Sequence, residues 1–370
     1  MTVESSVPAA PAGISRLLLV RLRQIGDVVF TTPAVRALRQ RFPDAHISYL
    51  VEPAAAPVVA HNPHIDEVII APRTGGPSGL GAEAALIRRL RAGSYDVAID
   101  FHGGPRASLL TWLSGARVRI GYDTAGRGWM YTRRVDRPRE LRARHSVENQ
   151  WDLLAPFDIA PREPAAFPVE MPVAPSDATA VDERLARAGV PRGGRVIVMH
   201  VSAGNPFRRW PIASFAAVAA ELAASDGRHR VVITSGPSDR DAADRVITEA
   251  WARLALDHRD RVLACGDFSL ADLRALVDRA TLYVGGDSGP LHVAATSHVP
   301  IVALYGPTLP ARSAPWRAPE WPAESIEIHG LPCRPCDQRS CTPGDFRCLT
   351  WIQPQQVIDG SRRALARASG

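Results

Sequence analysis

The chain has 370 residues, of which 46% are hydrophobic and 22% charged, a composition typical of a globular protein with room for two domains. Its net charge is +6, and the sequence contains no lysine, so every basic side chain other than histidine is arginine. A Schiff-base lysine and a lysine-bearing P-loop are therefore excluded, and a phosphate group would have to be held by guanidinium groups or backbone amides. No apolar run reaches the ~18 residues of a membrane span.

The excess of positive charge favours anionic partners such as nucleotides, phosphorylated lipids or an anionic membrane face, although a composition biased towards arginine would give the same charge. Nucleic acid is not expected, because the arginines are dispersed and no recognition-helix or RNA-binding pattern occurs. Residues 1–13 are rich in Ala, Pro and Ser and lack the basic start and apolar core of a secretory signal. We therefore expect a disordered tail and a cytoplasmic protein.

The N-terminal half alternates between strand and helix patterns. Apolar runs bounded by turns predict buried strands at residues 16–20, 46–51, 67–70 and 95–100. A turn at residues 23–27 precedes helical spacing over residues 28–42, and a second helix ends at Ala92. This alternation predicts a domain over residues 14–160, followed by a proline-rich linker at residues 161–176.

A second alternating set follows the linker. Strands are predicted at residues 195–200, 230–235, 261–264 and 281–284, and helices at residues 212–224, 239–255 and 270–279. We expect a second domain over residues 177–350, and a C-terminal helix within residues 351–370. The fold class is therefore α/β, with two doubly wound Rossmann-like domains whose ligands bind beyond the carboxyl ends of the strands.

The stretch from Gly285 to Thr308 reads GGDSGPLHVAATSHVPIVALYGPT. It begins directly after one apolar run and includes a second apolar run near its end. It predicts a strand, a tight turn, a helix opened by Pro290 and a further strand. Backbone N–H groups at such a turn suit a phosphate, and the side chains of Asp287 and His292 flank the same place. The alternative is a well-made turn that binds nothing.

Four segments together resemble glycosyltransferase family 9, the lipopolysaccharide heptosyltransferase family. They are LLLVRLRQIGDVVFTTPAVR at residues 17–36, HSVENQWDLL at 145–154, RRWP at 208–211, and the block at 285–308. The resemblance implies the GT-B fold, with the active site in the cleft between an N-terminal acceptor domain and a C-terminal nucleotide-sugar domain. It implies inverting transfer of heptose from ADP-heptose to a lipopolysaccharide inner-core acceptor. It also implies that the C-terminal helix within residues 351–370 packs back on the N-terminal domain.

Two alternatives stay open at this point. One keeps the fold with another nucleotide sugar or another acceptor, such as a different envelope glycan or a protein. The other is a nucleotide-sugar-binding protein that does not catalyse transfer. The expected partners are a nucleotide sugar and a lipid-linked anionic glycan, with peripheral contact at the inner face of the inner membrane.

The resemblance also implies roles for particular residues. Asp27, in the Gly-Asp-Val motif, is the expected general base, or else only a helix cap. The family usually has lysine where this chain has Arg208, which would meet the donor diphosphate, with Arg209 as substitute. The other expected donor-binding residues are Ser202, Asp287, Ser288, Gly289 and His292.

Three arginines, interpreted as lying in loops of the N-terminal half, are weaker candidates for the acceptor: Arg106, Arg119 and Arg133. No Asp-x-Asp motif precedes a plausible sugar site, so no cofactor is expected for catalysis. Four cysteines near the C-terminus have partly ligand-like spacing and could hold a structural zinc or iron ion, or stay as free packed thiols. They are Cys333, Cys336, Cys341 and Cys348.

Overall fold

The computed structural model describes residues 13–72, 76–136, 144–160 and 163–368. The chain divides into two compact units, Met1–Pro172 and Val173–Gly370. Within the described ranges, no helix is long and apolar enough to cross a membrane. The predicted disordered tail lies almost wholly in residues 1–12, outside the described part of the chain.

The first unit is a parallel sheet with helical crossovers. Its strands are β1 (Arg16–Val20), β2 (His46–Val51), β3 (Glu67–Ile70), β4 (Val97–Asp100), β5 (Val118–Tyr122) and β6 (Arg133–Val135). Its helices are α1 (Ile25–Val29), α2 (Thr32–Arg41), α3 (Ala56–Val59), α4 (Gly76–Ala92), α5 (Pro105–Leu113) and α6 (Ser146–Trp151). Short 3₁₀ turns cover Gly128–Met130 and Asp152–Phe157. The strand order is β3-β2-β1-β4-β5-β6.

The central strand β1 is apolar on both faces because helices cover both sides of a parallel sheet. Leu18 and Val20 face a core that includes Leu50 and Ala98, while Leu17 is equally buried on the other face. The continuous apolar run that predicted this strand is therefore a direct consequence of its central position.

The second unit repeats the same architecture. Its strands are β7 (Arg195–His200), β8 (His229–Thr234), β9 (Val262–Ala264), β10 (Ala280–Gly286), β11 (Ile301–Tyr305) and β12 (Ala323–Glu327). Its helices are α7 (Pro175–Arg187), α8 (Ile212–Ser225), α9 (Arg240–Trp251), α10 (Leu270–Asp278), α11 (Gly289–Ala294), α12 (Pro310–Ser313), α13 (Arg347–Thr350) and α14 (Pro354–Ala368). Short 3₁₀ turns cover Pro206–Arg208, Pro237–Asp239 and Leu256–Arg261. The strand order is β12-β11-β10-β7-β8-β9.

Both sheets therefore have the doubly wound order, with the first and fourth strand of each unit side by side. The pairs β1·β4 and β7·β10 are parallel neighbours, and the chain leaves them towards opposite edges of the sheet. Such a switch point opens a crevice beyond the carboxyl ends of the two strands, which is where ligands bind in these folds. The predicted doubly wound architecture is confirmed in both units.

The division between the two units, after Pro172, falls inside the predicted linker at residues 161–176. Phe167, Val169 and Met171 of this segment are buried, and α7 already begins at Pro175. The predicted helix over residues 28–42 is two helices, α1 and α2. Pro33 occupies the first turn of α2, where proline is favoured because its missing N–H has no partner in a helix.

The C-terminal helix α14 packs its apolar face into the core of the second unit, and its expected packing on the N-terminal domain stays a prediction. Val357, Ile358 and Ala364 lie in that core. Burying a valine or isoleucine fully stabilises a fold by about 1.5–3 kcal/mol. Arg363 and Arg367 add ion pairs from α14 to Glu324 on β12.

Candidate functional site

Asp27 stands at the switch point of the first unit, in the first turn of α1 after β1. Its Oδ2 accepts a 3.4 Å hydrogen bond from the backbone N–H of Gln24 and lies 2.5 Å from Nη2 of Arg21. The side chain is 37% exposed. Oδ1 has no hydrogen bond or ion pair to any described residue. Asp27 thus does cap its helix, and one carboxylate oxygen is left over to accept a proton.

His102 follows β4, the neighbour of β1, and shares the electrostatic environment of Asp27. Burial and the positive charge of Arg21 lower the pKa of His102 to about 4, against the opposing effect of Asp27. Its backbone N–H donates to Oδ1 of the buried Asp100, 2.8 Å away, and Gly103 donates to the same oxygen. Asp100 therefore shapes the turn after β4 and brings a neutral imidazole close to Asp27.

Asp287 directly follows β10 and is the centre of a polar cluster in the second unit. It is 2% exposed. Its Oδ2 lies 3.2 Å from Nη1 of Arg208 and accepts a 2.5 Å hydrogen bond from the hydroxyl of Thr308. Its Oδ1 lies 3.5 Å from Nε2 of His292. Burial acts to raise the pKa of Asp287, but the hydrogen bond and charge of His292, the charge of Arg208 and the Thr308 hydroxyl outweigh it, so the pKa falls below its usual value.

Arg208 is held at two of its three nitrogens. Nε donates to Oε1 of Gln338 at 2.7 Å, and Nη1 donates to the carbonyl oxygen of Asp287 at 3.1 Å. Nη2 has no hydrogen bond or ion pair to any described residue. A side chain on Gly286 would place its Cβ 3.3 Å from the carbonyl oxygen of Arg208, so glycine here permits the close approach of the two segments. The guanidinium of Arg208 therefore keeps the N–H groups of Nη2 available as donors beside Asp287.

The turn after β10 contributes a further polar group. The hydroxyl oxygen of Ser288 is buried and has no hydrogen-bond partner among the described residues. The helix that follows, α11, has only six residues. Its dipole is correspondingly small, so any anion held here depends mainly on Arg208, the Ser288 hydroxyl and the N–H groups of Ser288 and Gly289.

A model of glycosyltransferase family 9, described as heptosyltransferase, matches residues 83–344 of this chain. The chain belongs to glycosyltransferase family 9. Lipopolysaccharide heptosyltransferase 3 from Escherichia coli is 29% identical over 298 residues, which cover 80% of this chain and 84% of that protein. The predicted family is thus confirmed, and the protein is a glycosyltransferase.

Solved structures confirm the GT-B fold. The family 9 glycosyltransferase from Veillonella parvula DSM 2008 gives a TM-score of 0.83 at 24% identity, over 97% of this chain and 99% of that chain. The Escherichia coli heptosyltransferase WaaC, solved with ADP-2-deoxy-2-fluoro heptose, gives 0.65 at 21% identity, over 93% and 99%. The iron-containing glycosyltransferase TibC from enterotoxigenic Escherichia coli H10407 gives 0.56 at 14% identity, over 98% and 78%.

Arg209 and Ser202, both predicted donor residues of this family 9 protein, form a separate group in the structure. Arg209 lies 2.8 Å from Oδ1 of Asp239, and the Ser202 hydroxyl donates to Oδ2 of the same carboxylate at 2.5 Å. Asp239 and Asp241 are spaced as an Asp-x-Asp pair, but Asp239 is already occupied by these two partners. Both arginines therefore pair with a buried aspartate, and the diphosphate role of each stays a prediction.

The three predicted acceptor arginines do not lie in loops. Arg106 is in α5, Arg119 in β5 and Arg133 in β6. Arg119 and Arg133 stand near the amino ends of their strands, whereas the switch-point crevice lies at the carboxyl ends. Arg106 is near that edge, but its guanidinium is bound to Glu83 at 3.0 and 2.7 Å and to Glu52 at 3.3 Å. No contact of these residues favours an acceptor role, which stays a prediction.

The four clustered cysteines are half-buried and free. Burial raises the pKa of the Cys348 thiol, Arg334 lowers it, and the other three thiols, which are near enough to interact with it, raise it further. Among the described residues, however, no three His, Cys, Asp or Glu side chains are arranged to hold a metal ion. The structure thus gathers the four thiols in one loop without forming a metal site.

Several residues of these two clusters were missed from the sequence. Arg21 and His102 in the first unit, and Thr308 and Gln338 in the second, are the clearest examples. A usable signal existed for His102, because His102-Gly-Gly104 begins one residue after a predicted strand ends. No spacing in the sequence connects Gln338 with Arg208, which is 130 residues away.

Proposed function

We propose that this glycosyltransferase moves heptose from ADP-heptose to a sugar of the lipopolysaccharide inner core, with inversion at the anomeric carbon. Family membership and the names of its relatives support heptosyl transfer, and a structural neighbour binds an ADP-heptose analogue. The local observation that carries the proposal is Arg208, held by Asp287 and Gln338 beside the unpartnered Ser288 hydroxyl. A lipid-linked acceptor would bring the protein to the inner face of the membrane.

The second unit supplies what the leaving diphosphate needs. As the bond between the anomeric carbon and the diphosphate oxygen breaks, negative charge develops on that oxygen. The free Nη2 donors of Arg208 and the Ser288 hydroxyl can bind the phosphates. Asp287 keeps the guanidinium in place but leaves it 29% exposed. Because arginine stays charged at all working pH values, this mechanism needs no metal ion to offset the leaving charge.

The first unit supplies the base. The acceptor hydroxyl would donate its proton to Oδ1 of Asp27 while its oxygen forms the new bond to the anomeric carbon, and the electron pair of the broken bond leaves with ADP. Attack on one face and departure from the other account for inversion. Arg21 holds Oδ2 of Asp27 and so fixes the direction of Oδ1. The neutral imidazole of His102 offers a further hydrogen bond to the acceptor.

A nucleotide panel followed by a transfer assay tests the proposal. ADP should raise the melting temperature more than UDP or GDP does, and a preference for UDP would overturn the donor assignment. The Asp27→Asn variant should then bind ADP normally and lose about 10²–10⁴ in kcat. The exposed Asp44 provides the control, since Asp44→Asn should transfer heptose at the normal rate. Near-normal transfer by Asp27→Asn would show that another residue is the base.

The same assays separate the two alternatives. A chain that binds a nucleotide sugar but neither hydrolyses nor transfers it is a binding protein. A chain that uses ADP-heptose with an acceptor other than the inner core, such as another envelope glycan or a protein, keeps the catalytic part of the proposal and changes its product.

A structural zinc or iron ion at the four cysteines is a separate hypothesis. The closeness of the thiols supports it, and their arrangement does not form a site. Elemental analysis of protein purified without added metal, combined with counting of reactive thiols, tests it. One zinc or iron per chain with four protected thiols supports the ion, whereas a metal-free chain with reactive thiols contradicts it.

A further inference from the structure

The cysteine-rich loop, residues 331–348, touches the candidate donor site directly. Its residue Gln338 accepts hydrogen bonds through Oε1 from Nε of Arg208 at 2.7 Å and from the side-chain nitrogen of Asn205 at 2.8 Å. One amide oxygen thus joins the loop to two polar side chains, Asn205 and Arg208, of the segment that follows β7. Gln338 has a backbone φ of +60°, a left-handed conformation that residues other than glycine seldom adopt.

The loop also contacts the segment of the candidate donor site that carries Thr308. Arg334 donates to the carbonyl oxygens of Thr308 and Ile328 at 2.7 and 2.6 Å and forms an ion pair with Glu327 at 2.8 Å. The backbone N–H of Cys336 donates to the carbonyl oxygen of Pro307 at 3.2 Å. Thr308, held in this way, donates its hydroxyl to Asp287.

Apolar contacts anchor the end of the loop. Phe346 packs edge-on against Phe207, with ring centroids 5.3 Å apart. Leu349, directly after the loop, is buried against Gly306, where an added Cβ would lie only 2.5 Å from the leucine Cγ. The loop is therefore attached to both segments that carry Arg208 and Thr308.

From these contacts we infer that the cysteine-rich loop is part of the donor site and that Gln338 is a positioning residue for Arg208. The inference rests on the proposed donor-binding function. Arginine has a long flexible side chain, and here Gln338 fixes Nε while Asp287 fixes Nη1. Because Nε and Nη1 are both fixed, the plane of the guanidinium is fixed and Nη2 points in one direction. Without Gln338, Asp287 alone would hold the guanidinium, which could then turn its free donors away from the phosphates.

A double-mutant cycle tests whether Gln338 acts through Arg208. Gln338→Met keeps the length of the side chain and removes its oxygen. It should weaken ADP binding about tenfold, the usual scale for a hydrogen bond to a charged group. Arg208→Ala should weaken it more, and adding Gln338→Met to Arg208→Ala should then change ADP affinity by less than about twofold. Additive losses, or wild-type affinity in Gln338→Met, would overturn the inference.

The control is Gln355→Ala, on the exposed first turn of α14, where the glutamine side chain donates to Asp359 of its own helix. It should leave ADP affinity unchanged. Melting temperatures of all variants show whether a loss of binding is a loss of folding, and Gln338→Ala provides a second substitution for comparison.

A ligand-free measurement separates this inference from the proposed function. In the absence of nucleotide, amide hydrogen exchange over residues 203–210 should be faster in Gln338→Met than in wild type or Gln355→Ala. If wild type binds none of ADP, UDP and GDP, the proposed donor is wrong, and the exchange experiment still decides whether Gln338 holds the Arg208 segment. Equal exchange in all three proteins refutes the positioning role.

Discussion

Replacing Asp287 with asparagine should destabilise the second unit in a pH-dependent way. The change keeps the shape of the side chain and an acceptor for Thr308, but it removes the charge that faces Arg208 at 3.2 Å and His292 at 3.5 Å. Breaking a fully buried pair costs about 3–5 kcal/mol. Because 29% of the Arg208 side chain is exposed, water compensates part of this loss, and we expect about 1–2 kcal/mol at pH 7.

The pH dependence follows from the lowered pKa of Asp287. The ordinary pKa of an aspartate, 3.8, applies to the unfolded chain. A carboxylate whose pKa is lower in the folded state stabilises the fold at pH values above 3.8. This stabilisation is lost as the pH falls through the folded-state pKa. Urea unfolding between pH 3 and 7 should therefore show a difference from wild type that is constant above pH 5 and shrinks below pH 4. A difference that persists unchanged at pH 3 would refute the reasoning. Asp257→Asn, on an 80% exposed side chain, is the control and should match wild type throughout.

Three further predictions concern single residues. Arg208→Lys should weaken ADP binding less than Arg208→Ala, because an ammonium group keeps the charge but cannot reach Gln338 and Asp287 in the same fork; equal losses would show that charge contributes nothing. Arg106→Ala should lower stability by about 1–2 kcal/mol and leave acceptor KM unchanged, since its donors are bound to two glutamates; a raised KM without loss of stability would favour the acceptor role. Burial lowers the pKa of His200 to about 4, so wild type should lose about 3 kcal/mol of stability as pH falls from 6.5 to 4, and His200→Gln should remove that slope in calorimetry.

Strands were predictable where they carry an apolar run. Residues 195–200 were predicted with the bounds of β7, because a central parallel strand needs a continuous apolar run. The edge strands β3 and β9 also carry short apolar runs and were predicted. The edge strands β6 (RRV) and β12 (AESIE) and the inner strand β5 (VRIGY) gave no such signal, because charged residues or glycine interrupt them. The break between α1 and α2 was marked by Pro33 and could have been predicted.

The residues of the two candidate clusters were predictable from the sequence only where a recognisable motif comes after the end of a predicted strand. Asp27 and Asp287 each lie in the turn or first helical turn that comes after an apolar run, and the structure places both at switch points. Their partners depend on long-range contacts: Arg208 meets Gln338 only because the loop at 331–348 folds back over the segment after β7. The surface that α14 covers depends on such contacts as well, since the pattern of an amphipathic helix does not specify which apolar surface it packs against.

The two sheets share one strand order, and the candidate side chains occupy equivalent places in each. Asp27 and His102 follow the first and fourth strands of one unit, and Ser202 and Asp287 follow the first and fourth strands of the other. The motifs themselves are unrelated in sequence. The position of a residue relative to the strands therefore identifies candidate site residues even where sequence similarity does not. In a distant relative too divergent to align, the residues after those four strands are the first place to search for both halves of the chemistry.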